Sequence, residues 1–456
     1  MFKMKKVTIL IASLLAAMLV ISACGNGGAG GGAGGGAAAD GEVSGPIVVG
    51  GWPAADEAFE AILPMFNELY PDVEVEILMS GEFRELLITS FAAGSGAPDV
   101  VMLEGGWMGE LKESPALENL YDEPFDGGRF ADAFVDFRWE FAHSADGSRL
   151  VAIPWDIGPA TLFYRADIFE EVGLPSDPDE VYALLSTWDG WLAAAEAIHI
   201  PGERWIMAEA SYLATWHYMN RDFFNERLEL QLTRPGVIEA LEAAIIMREN
   251  GWDAQAGSMW STEAEAGLAT GGIATSLAGC WYGGFLKSWI SPDNVGNWRI
   301  TRLPGGLPDS NWGGSFVGIP TQSENPLAAW AFIEFSMTTP EAQNTMFEAV
   351  DYFPALISAW DDDEVYNWGD PYFGGQRTRA LWVDIARNIH PVHTTMMDSA
   401  AEGNFGNAVS TGLAEGMSPQ EIMDFAYEFV MDALREQRQA NIDMLRDAGL
   451  WDDSWE

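Results

Sequence analysis

The chain has few soft metal ligands. Its 456 residues include two cysteines, Cys24 and Cys280, and five histidines. His390 and His393 are a close pair, but Pro391 and Val392 between them give a poor spacing for two ligands on one helix. We therefore predict no metal site and no cofactor, and we expect Cys280 to be a small buried residue.

Positive charge is also scarce. Lysine and arginine total 23 against 69 aspartates and glutamates, so the formal net charge is −46. Such a surface repels nucleic acid and anionic lipid, and it disfavours phosphate or carboxylate ligands. The composition excludes a nucleic-acid partner and favours a neutral or cationic ligand, although acidity also suits solubility in a salty or acidic exterior.

Motifs for catalysis are missing or ambiguous. The chain contains no GxSxG nucleophile motif, and its glycine-rich stretch has no GK[ST] after it to form a phosphate-binding loop. Paired carboxylates at the separation used by glycosidases are expected by chance among 69 acids. No pair stands out, so a secreted glycoside hydrolase stays open as an alternative.

The N-terminus has the pattern of a secretory signal. Lys3, Lys5 and Lys6 precede an apolar run from Val7 to Ile21, which is too short for a stable membrane span. Residues 25–45 are rich in glycine and alanine, without periodicity, and predict a flexible tether. An uncleaved membrane anchor is the alternative.

From Pro46 onward, strand and helix patterns alternate. Short apolar or alternating runs at residues 47–51, 71–77 and 97–104 predict strands, and residues 54–70 and 82–93 have helical spacing. Short links between such elements indicate an α/β fold with a largely parallel sheet. Residues 419–449 predict a long amphipathic helix.

The chain is organised around residues 267–319, where short apolar runs alternate with glycine and tryptophan. Ile273 to Ala278 and Ser315 to Pro320 predict buried strands. Ligands of open α/β sheets lie beyond the carboxyl ends of strands. Rings that follow these strands are therefore candidates to face a crevice.

Several segments together resemble one known family. They are Gly272-Ile273-Ala274-Thr275-Ser276 with Gly279-Cys280-Trp281, Gly313-Gly314 with Val317-Gly318-Ile319, Pro98-Asp99-Val100-Val101, and residues 149–175 with Pro154-Trp155-Asp156 and Tyr164-Arg165-Ala166-Asp167-Ile168-Phe169. This set is similar to the extracellular solute-binding proteins of ABC importers, specifically the carbohydrate-binding, maltose-binding-protein-like family 1. Thr275-Ser276 departs from the Ala-Met that is usual there. Ile21-Ser22-Ala23-Cys24 likewise resembles a bacterial lipobox, with Ile21 where leucine is more usual.

The family resemblance implies a two-lobe periplasmic-binding-protein-like α/β fold with an interdomain ligand cleft. Residues 46–155 and 319–362 would form the N-terminal lobe, and residues 156–318 and 363–456 the C-terminal lobe, with hinges near Pro154–Gly158 and Phe316–Pro320. The lipobox implies that residues 1–23 are a lipoprotein signal peptide and that residues 24–45 begin with a diacylglycerol-modified Cys24.

The function implied is capture without catalysis. A monomer anchored on the outer face of the bacterial cell membrane would bind a sugar or short oligosaccharide and deliver it to the permease subunits of an ABC transporter. The alternatives are a binding protein for a polyamine or other cationic solute, the glycoside hydrolase, and a lipid-anchored adhesin.

Candidate ligand-binding residues lie at the predicted strand ends. Rings such as Trp155 and Trp281 can cover the apolar face of a pyranose, while Glu104 and Asp156 accept hydrogen bonds from its hydroxyl groups. Gly314 would let backbone groups approach the ligand closely. The full predicted set is Trp52, Glu104, Trp155, Asp156, Trp281, Trp312 and Gly314, and for Trp52, Glu104 and Trp312 packing in the core or between lobes is an equal alternative.

Overall fold

A computed structural model describes residues 43–219, 222–447 and 449–455. The predicted signal peptide, Cys24 and the tether as far as residue 42 lie outside these ranges. Within them, no helix is both long and apolar enough to cross a membrane.

Ten strands form three sheets. The largest has the order β2-β1-β3-β9-β4, the second pairs β10 with β5, and the third has the order β7-β6-β8. The strands are β1 Gly45–Gly51, β2 Val73–Met79, β3 Val100–Glu104, β4 Ile153–Pro154, β5 Asp156–Ile157, β6 Ala160–Arg165, β7 Thr275–Gly279, β8 Trp298–Thr301, β9 Ser315–Gly318 and β10 Phe353–Pro354.

The α-helices surround these sheets. They are α1 Ala55–Leu69, α2 Phe83–Ala93, α3 Gly105–Leu111, α4 Asp136–Phe141, α5 Ala166–Glu171, α6 Pro178–Leu185, α7 Trp188–Ile198, α8 Tyr212–Thr215, α9 Val237–Asn250, α10 Thr262–Thr270, α11 Tyr282–Phe285, α12 Pro326–Thr338, α13 Pro340–Val350, α14 Asp363–Tyr366, α15 Thr378–Ala386, α16 Asp398–Glu415, α17 Pro419–Ala433 and α18 Arg435–Asp447. Shorter 3₁₀ turns span Gly127–Ala133, Trp216–Tyr218, Ile357–Asp361 and Asp453–Trp455, and Leu286–Ile290 forms a π-helical turn.

Local sequence explains several of these boundaries. Within α1, Phe59, Ile62 and Phe66 repeat at helical spacing and form its buried face. Thr187 caps α7, because its side chain accepts a hydrogen bond from Gly190 N at 3.2 Å. Within the acidic run at residues 361–364, Asp362 is the N-cap of α14, because its side chain accepts hydrogen bonds from backbone N–H groups in the first turn of that helix.

The prediction of a largely parallel sheet is only half right. β1 runs parallel to both β2 and β3, as strand-helix alternation requires. In contrast, β6 pairs antiparallel with β7 and β8. These strands come from distant parts of the chain, so the sequence order of neighbouring elements carried no information about their pairing. The single predicted helix over 419–449 is two helices, α17 and α18.

The chain passes between the five-stranded and the three-stranded sheet at two places. It leaves the five-stranded sheet after β4 and enters the three-stranded sheet at β6, and it returns through residues 302–314 to β9. The predicted boundary had put β9 in the C-terminal lobe, but β9 pairs with β3 and β4. The other predicted lobe boundaries stay predictions.

Two hydrophobic cores correspond broadly to this division. One surrounds the five-stranded sheet and includes Phe59, Trp155 and Phe316. The other includes Trp191 and Phe405. The ring of Trp312 packs against both cores, which places the 302–314 connection at the junction between them.

Candidate ligand-binding site

A cavity of about 400 Å³ lies where these two parts of the fold meet. One side is formed by the end of β3 with α3 and α4, the opposite side by residues 218, 219, 223 and 392–403, and the remaining wall by the 311–313 turn. The lining residues are Glu104, Gly105, Gly106, Gly109, Phe137, Arg138, Phe141, Tyr218, Met219, Phe223, Asn311, Trp312, Gly313, Val392, Thr394, Thr395, Met396, Asp398, Ser399, Glu402 and Gly403.

Glu104 lies in this cavity, at the carboxyl end of β3. Its side chain caps α3 by accepting a hydrogen bond from Gly106 N at 2.7 Å. Burial raises the pKa of Glu104, while that hydrogen bond and the nearby Arg138 act to lower it. One carboxylate oxygen is therefore engaged in the cap, and the other is open to hydrogen bonds from a ligand.

Arg138, on α4, is the buried cation of the cavity. It is 3% exposed, and its guanidinium lies 4.1 Å from the ring centroid of Phe316. Within the described residues, its Nε and Nη2 have no hydrogen-bond partner. Burial lowers the pKa of Arg138 to about 10, with Asp156 and Glu104 opposing the shift. The guanidinium therefore stays charged at neutral pH.

Two more carboxylates enter the cavity from α16. Asp398 accepts hydrogen bonds from Phe223 N at 2.8 Å and from Thr395 Oγ1 at 2.9 Å. Burial, followed by the charges of Glu104 and Asp398, raises the pKa of Glu402 to about 7. Glu402 therefore keeps its proton to a higher pH than an ordinary glutamate does.

The ring of Trp312 lines the cavity, and other tryptophan rings pack against it or against each other. The ring of Trp312 lies 5.2 Å from Trp281 and 5.6 Å from Trp216 between centroids. Trp281 Nε1 donates a hydrogen bond to Trp312 O at 2.9 Å, and its ring stacks on the exposed Trp260 at 5.9 Å. Such surfaces suit the C–H face of a sugar ring.

Two of the predicted residues, Trp155 and Asp156, are buried in the fold and do not line the cavity. Trp155 is 1% exposed, and its ring packs 4.9 Å from Phe59 and 5.4 Å from Tyr352. Asp156 is 3% exposed and accepts hydrogen bonds from Ser315 N at 2.8 Å and from Ser315 Oγ. Burial raises the pKa of Asp156 to about 6. Trp155 through ring packing, and Asp156 through hydrogen bonds, therefore connect the segment that follows β4 to other parts of the fold.

Gly314 has a backbone role next to the same joint. Its φ is +91°, and a Cβ there would lie 2.5 Å from Asp156 O and 2.9 Å from Arg138 Nη2. The glycine makes room for the buried guanidinium. Its carbonyl accepts a hydrogen bond from Gly105 N at 2.9 Å.

Trp52 follows β1 but does not line the cavity. Its ring makes an edge contact with Trp107 at 5.6 Å. The structure therefore brings Glu104 and Trp312 together at the cavity, with Trp281 in contact with Trp312, and places Trp52, Trp155, Asp156 and Gly314 outside its lining.

The fold and its junction cavity agree with a comparison against known families. The family model described as bacterial extracellular solute-binding protein matches residues 50–344, which is more than half of the chain. The chain belongs to this family. The predicted resemblance is thus confirmed, and membership places the protein outside the cytoplasm.

Relatives of this solute-binding protein include two that are named for sugars. The arabinooligosaccharide-binding protein of Bacillus subtilis is 23% identical over 361 residues, covering 74% of this chain and 80% of the relative. The lactose-binding protein of Rhizobium radiobacter is 25% identical over 374 residues, covering 75% and 82%. These are binding proteins, so the prediction that the chain is not an enzyme is confirmed, and the hydrolase alternative is not favoured.

Solved structures confirm the two-lobe α/β fold. An ABC-transporter-associated binding protein from B. animalis subsp. lactis Bl-04, in complex with β-1,6-galactobiose, gives a TM-score of 0.67 at 22% identity, covering 86% of this chain and 98% of that one. The sugar-binding protein MalE from Xanthomonas citri gives 0.68 at 19% identity, covering 87% and 98%.

Sequence reasoning missed most polar residues of the solute-binding protein's cavity. Arg138, Asp398 and Glu402 lie on helices, whereas the sequence pattern pointed to strand ends. Arg138 stands between the aromatic residues Phe137 and Trp139, which is a usable signal of burial. Asp398 and Glu402 share one face of α16 at i and i+4, but in so acidic a chain that spacing occurs often.

The remaining predictions about site chemistry concern metals and cysteine. Within the part of the chain that the structure describes, no group of three or more His, Cys, Asp or Glu side chains could hold a metal ion. Cys280 is free and fully buried, as expected of a small core residue. Burial raises the pKa of its thiol well above the usual value.

Proposed function

We propose that this protein captures a sugar or short oligosaccharide in the junction cavity and delivers it to the permease subunits of an ABC transporter. The observation that carries the proposal is the composition of the cavity: the ring of Trp312 lines it together with a guanidinium and three carboxylates, and the ring of Trp281 packs against Trp312. Rings cover the apolar face of a pyranose, and charged groups make the stronger hydrogen bonds to its hydroxyls. Relatives named for arabinooligosaccharide and lactose binding support the same ligand class.

The mechanism needs no bond to be made or broken. A ligand that contacts β3, α3 and α4 on one side and α16 on the other stabilises the arrangement in which both sides are close together. Loss of the ligand at the permease would then favour separation of the lobes. The protein acts as a monomer in this scheme.

Isothermal titration against a panel of mono- and oligosaccharides tests the proposal. We expect one sugar to bind per protein without release of new reducing ends, and Trp312→Ala to weaken that binding at least about 10-fold through lost ring contact. Trp368→Ala is the matched control, because Trp368 is exposed and is not among the cavity residues. Unchanged affinity in Trp312→Ala would reject the site, and turnover of the sugar would reject the function.

We also propose that Cys24 carries a diacylglycerol anchor that holds the protein on the outer face of the cell membrane. Two acyl chains are about what stable anchoring needs. In the native host, the wild-type protein should fractionate with membranes, whereas Cys24→Ser should not carry the lipid mass. Recovery of equal lipid-modified mass from both would contradict this assignment.

A further inference from the structure

The charges inside the cavity are not balanced. Glu104, Asp398 and Glu402 line it together with one cation, Arg138. Asp156 lies behind Arg138 and acts on its pKa as a further negative charge. The cavity is therefore negative overall whenever Glu402 is ionised, and an anionic ligand would be repelled.

Glu402 differs from the other two carboxylates in having no protein partner. Asp398 is held by the backbone of Phe223 and by Thr395, and Glu104 caps α3. Across the ranges 43–219, 222–447 and 449–455, Glu402 makes no hydrogen bond and no ion pair. The negative charges of Glu104 and Asp398 raise its pKa further, and no lysine or arginine in the described part of the chain forms an ion pair with it.

Arg138 is an independent sign that a ligand completes the cavity. It is almost fully buried, yet its Nε and Nη2 find no acceptor among the described residues. A buried donor without a partner is unfavourable, and a guanidinium especially so. A ligand with oxygen acceptors would provide what Arg138 lacks.

We infer that the ligand is an amino sugar, whose protonated amine binds beside Glu402 while its hydroxyl oxygens accept hydrogen bonds from Arg138. This inference rests on the proposed function and narrows its ligand class. A neutral sugar would satisfy Arg138 but would leave Glu402 without a cation. A simple polyamine would satisfy Glu402 but offers Arg138 no oxygen.

Paired ligands that differ only in the amine provide the test. Glucosamine against glucose, galactosamine against galactose, and the β-1,4-linked glucosamine dimer against cellobiose each exchange one kind of amino group for a hydroxyl. For the skeleton that binds, we expect the amine to tighten binding about 10- to 100-fold, as a charge-assisted hydrogen bond does. Added salt should reduce this ratio.

Glu402→Gln keeps the size and polarity of the side chain and removes its charge. We expect it to abolish the preference for the amine, measured as the ratio of the two affinities within the variant. Glu415→Gln is the matched control, because Glu415 is an exposed glutamate on the same helix. It should keep the full preference.

The outcomes separate this inference from the proposed function. Equal binding of the amine and neutral members, or a preference that survives in Glu402→Gln, overturns the amino-sugar assignment and leaves sugar binding intact. If no saccharide of either kind binds, the proposed function itself fails. Tight binding of spermidine in place of every saccharide would contradict both.

Discussion

At the scale of single residues, Glu402 links the electrostatics of the cavity to stability. Its folded pKa of about 7 lies above the ordinary glutamate value. Folding therefore favours the protonated form. The resulting stabilisation is fully present below the ordinary glutamate pKa, and it is lost as pH rises from there through about 7.

We expect Glu402→Gln to remove this pH dependence. Between about pH 5 and about pH 8, the free energy of unfolding of the variant should gain about 1–3 kcal/mol relative to wild type. Urea titrations of both proteins at several pH values measure this, with Glu415→Gln as the control that follows wild type. Parallel curves for wild type and Glu402→Gln would contradict the raised pKa.

Asp156 is the second residue with an identifiable effect. Asp156→Ala removes the acceptor of two hydrogen bonds from Ser315 and the carboxylate next to buried Arg138. We expect the free energy of unfolding to fall by about 2–4 kcal/mol. Chemical denaturation measures the loss. A change of less than about 0.5 kcal/mol, as at an ordinary surface site, would show that this joint is not structural.

The sequence suggested some residues of the candidate site and could not distinguish others. Reasoning from strand ends suggested Glu104 and Trp312, and both of these residues line the cavity. The same argument could not separate Trp281 from Trp155, since both follow short apolar runs. Only tertiary packing puts one beside the cavity wall and the other between Phe59 and Tyr352.

At the scale of elements, the 311–314 turn sets the approach of β9 to β5. Gly314 has a left-handed backbone conformation, and a Cβ at this position would lie too close to Asp156 O. The turn therefore depends on a residue without a side chain. For this reason the sequence predicted a close backbone approach at Gly314 but could not identify the group that it approaches.

We expect Gly314→Ala to lower the free energy of unfolding by more than about 1 kcal/mol, because strain at φ +91° adds to the clash at 2.5 Å. Gly147→Ala is the control: Gly147 has φ +70°, and a Cβ added there would meet nothing within 4 Å, so this variant carries the strain alone. Thermal unfolding of the two variants separates the contributions. Equal losses would mean that the contact with Asp156 is relieved at no cost.

The element scale also explains the mixed success of the fold prediction. Parallel β1, β2 and β3 are joined by helices that immediately follow each strand, so local periodicity was sufficient. The antiparallel partners of β6 are more than 100 residues away in sequence. The local sequence of β6, β7 and β8 does not specify which of these strands pair with each other.

At the scale of the whole molecule, the two sides of the cavity approach each other closely at α3. On α3, a Cβ at Gly109 would lie 3.0 Å from Thr395 O and 3.2 Å from the Cα of Met396. The segment 392–396 approaches α3 this closely because position 109 has no side chain. This contact helps to determine how far the cavity can close.

We expect Gly109→Leu to keep the two sides apart. Small-angle scattering should show a larger radius of gyration than wild type in the presence of the cognate sugar, and affinity should fall at least about 10-fold because fewer contacts reach both lobes. Gly81→Leu is the control, since nothing lies within 4 Å of a Cβ there. An unchanged scattering curve and affinity would exclude Gly109 as a determinant of closure.

The hydrogen bond from Trp281 Nε1 to Trp312 O fixes the Trp281 ring in the folded protein. A side chain that is fastened before its guest arrives has already lost its rotational freedom during folding, so association need not freeze it again. The fixed Trp281 ring supports Trp312, which lines the cavity, so we expect ligand binding there to require little rearrangement of these two rings.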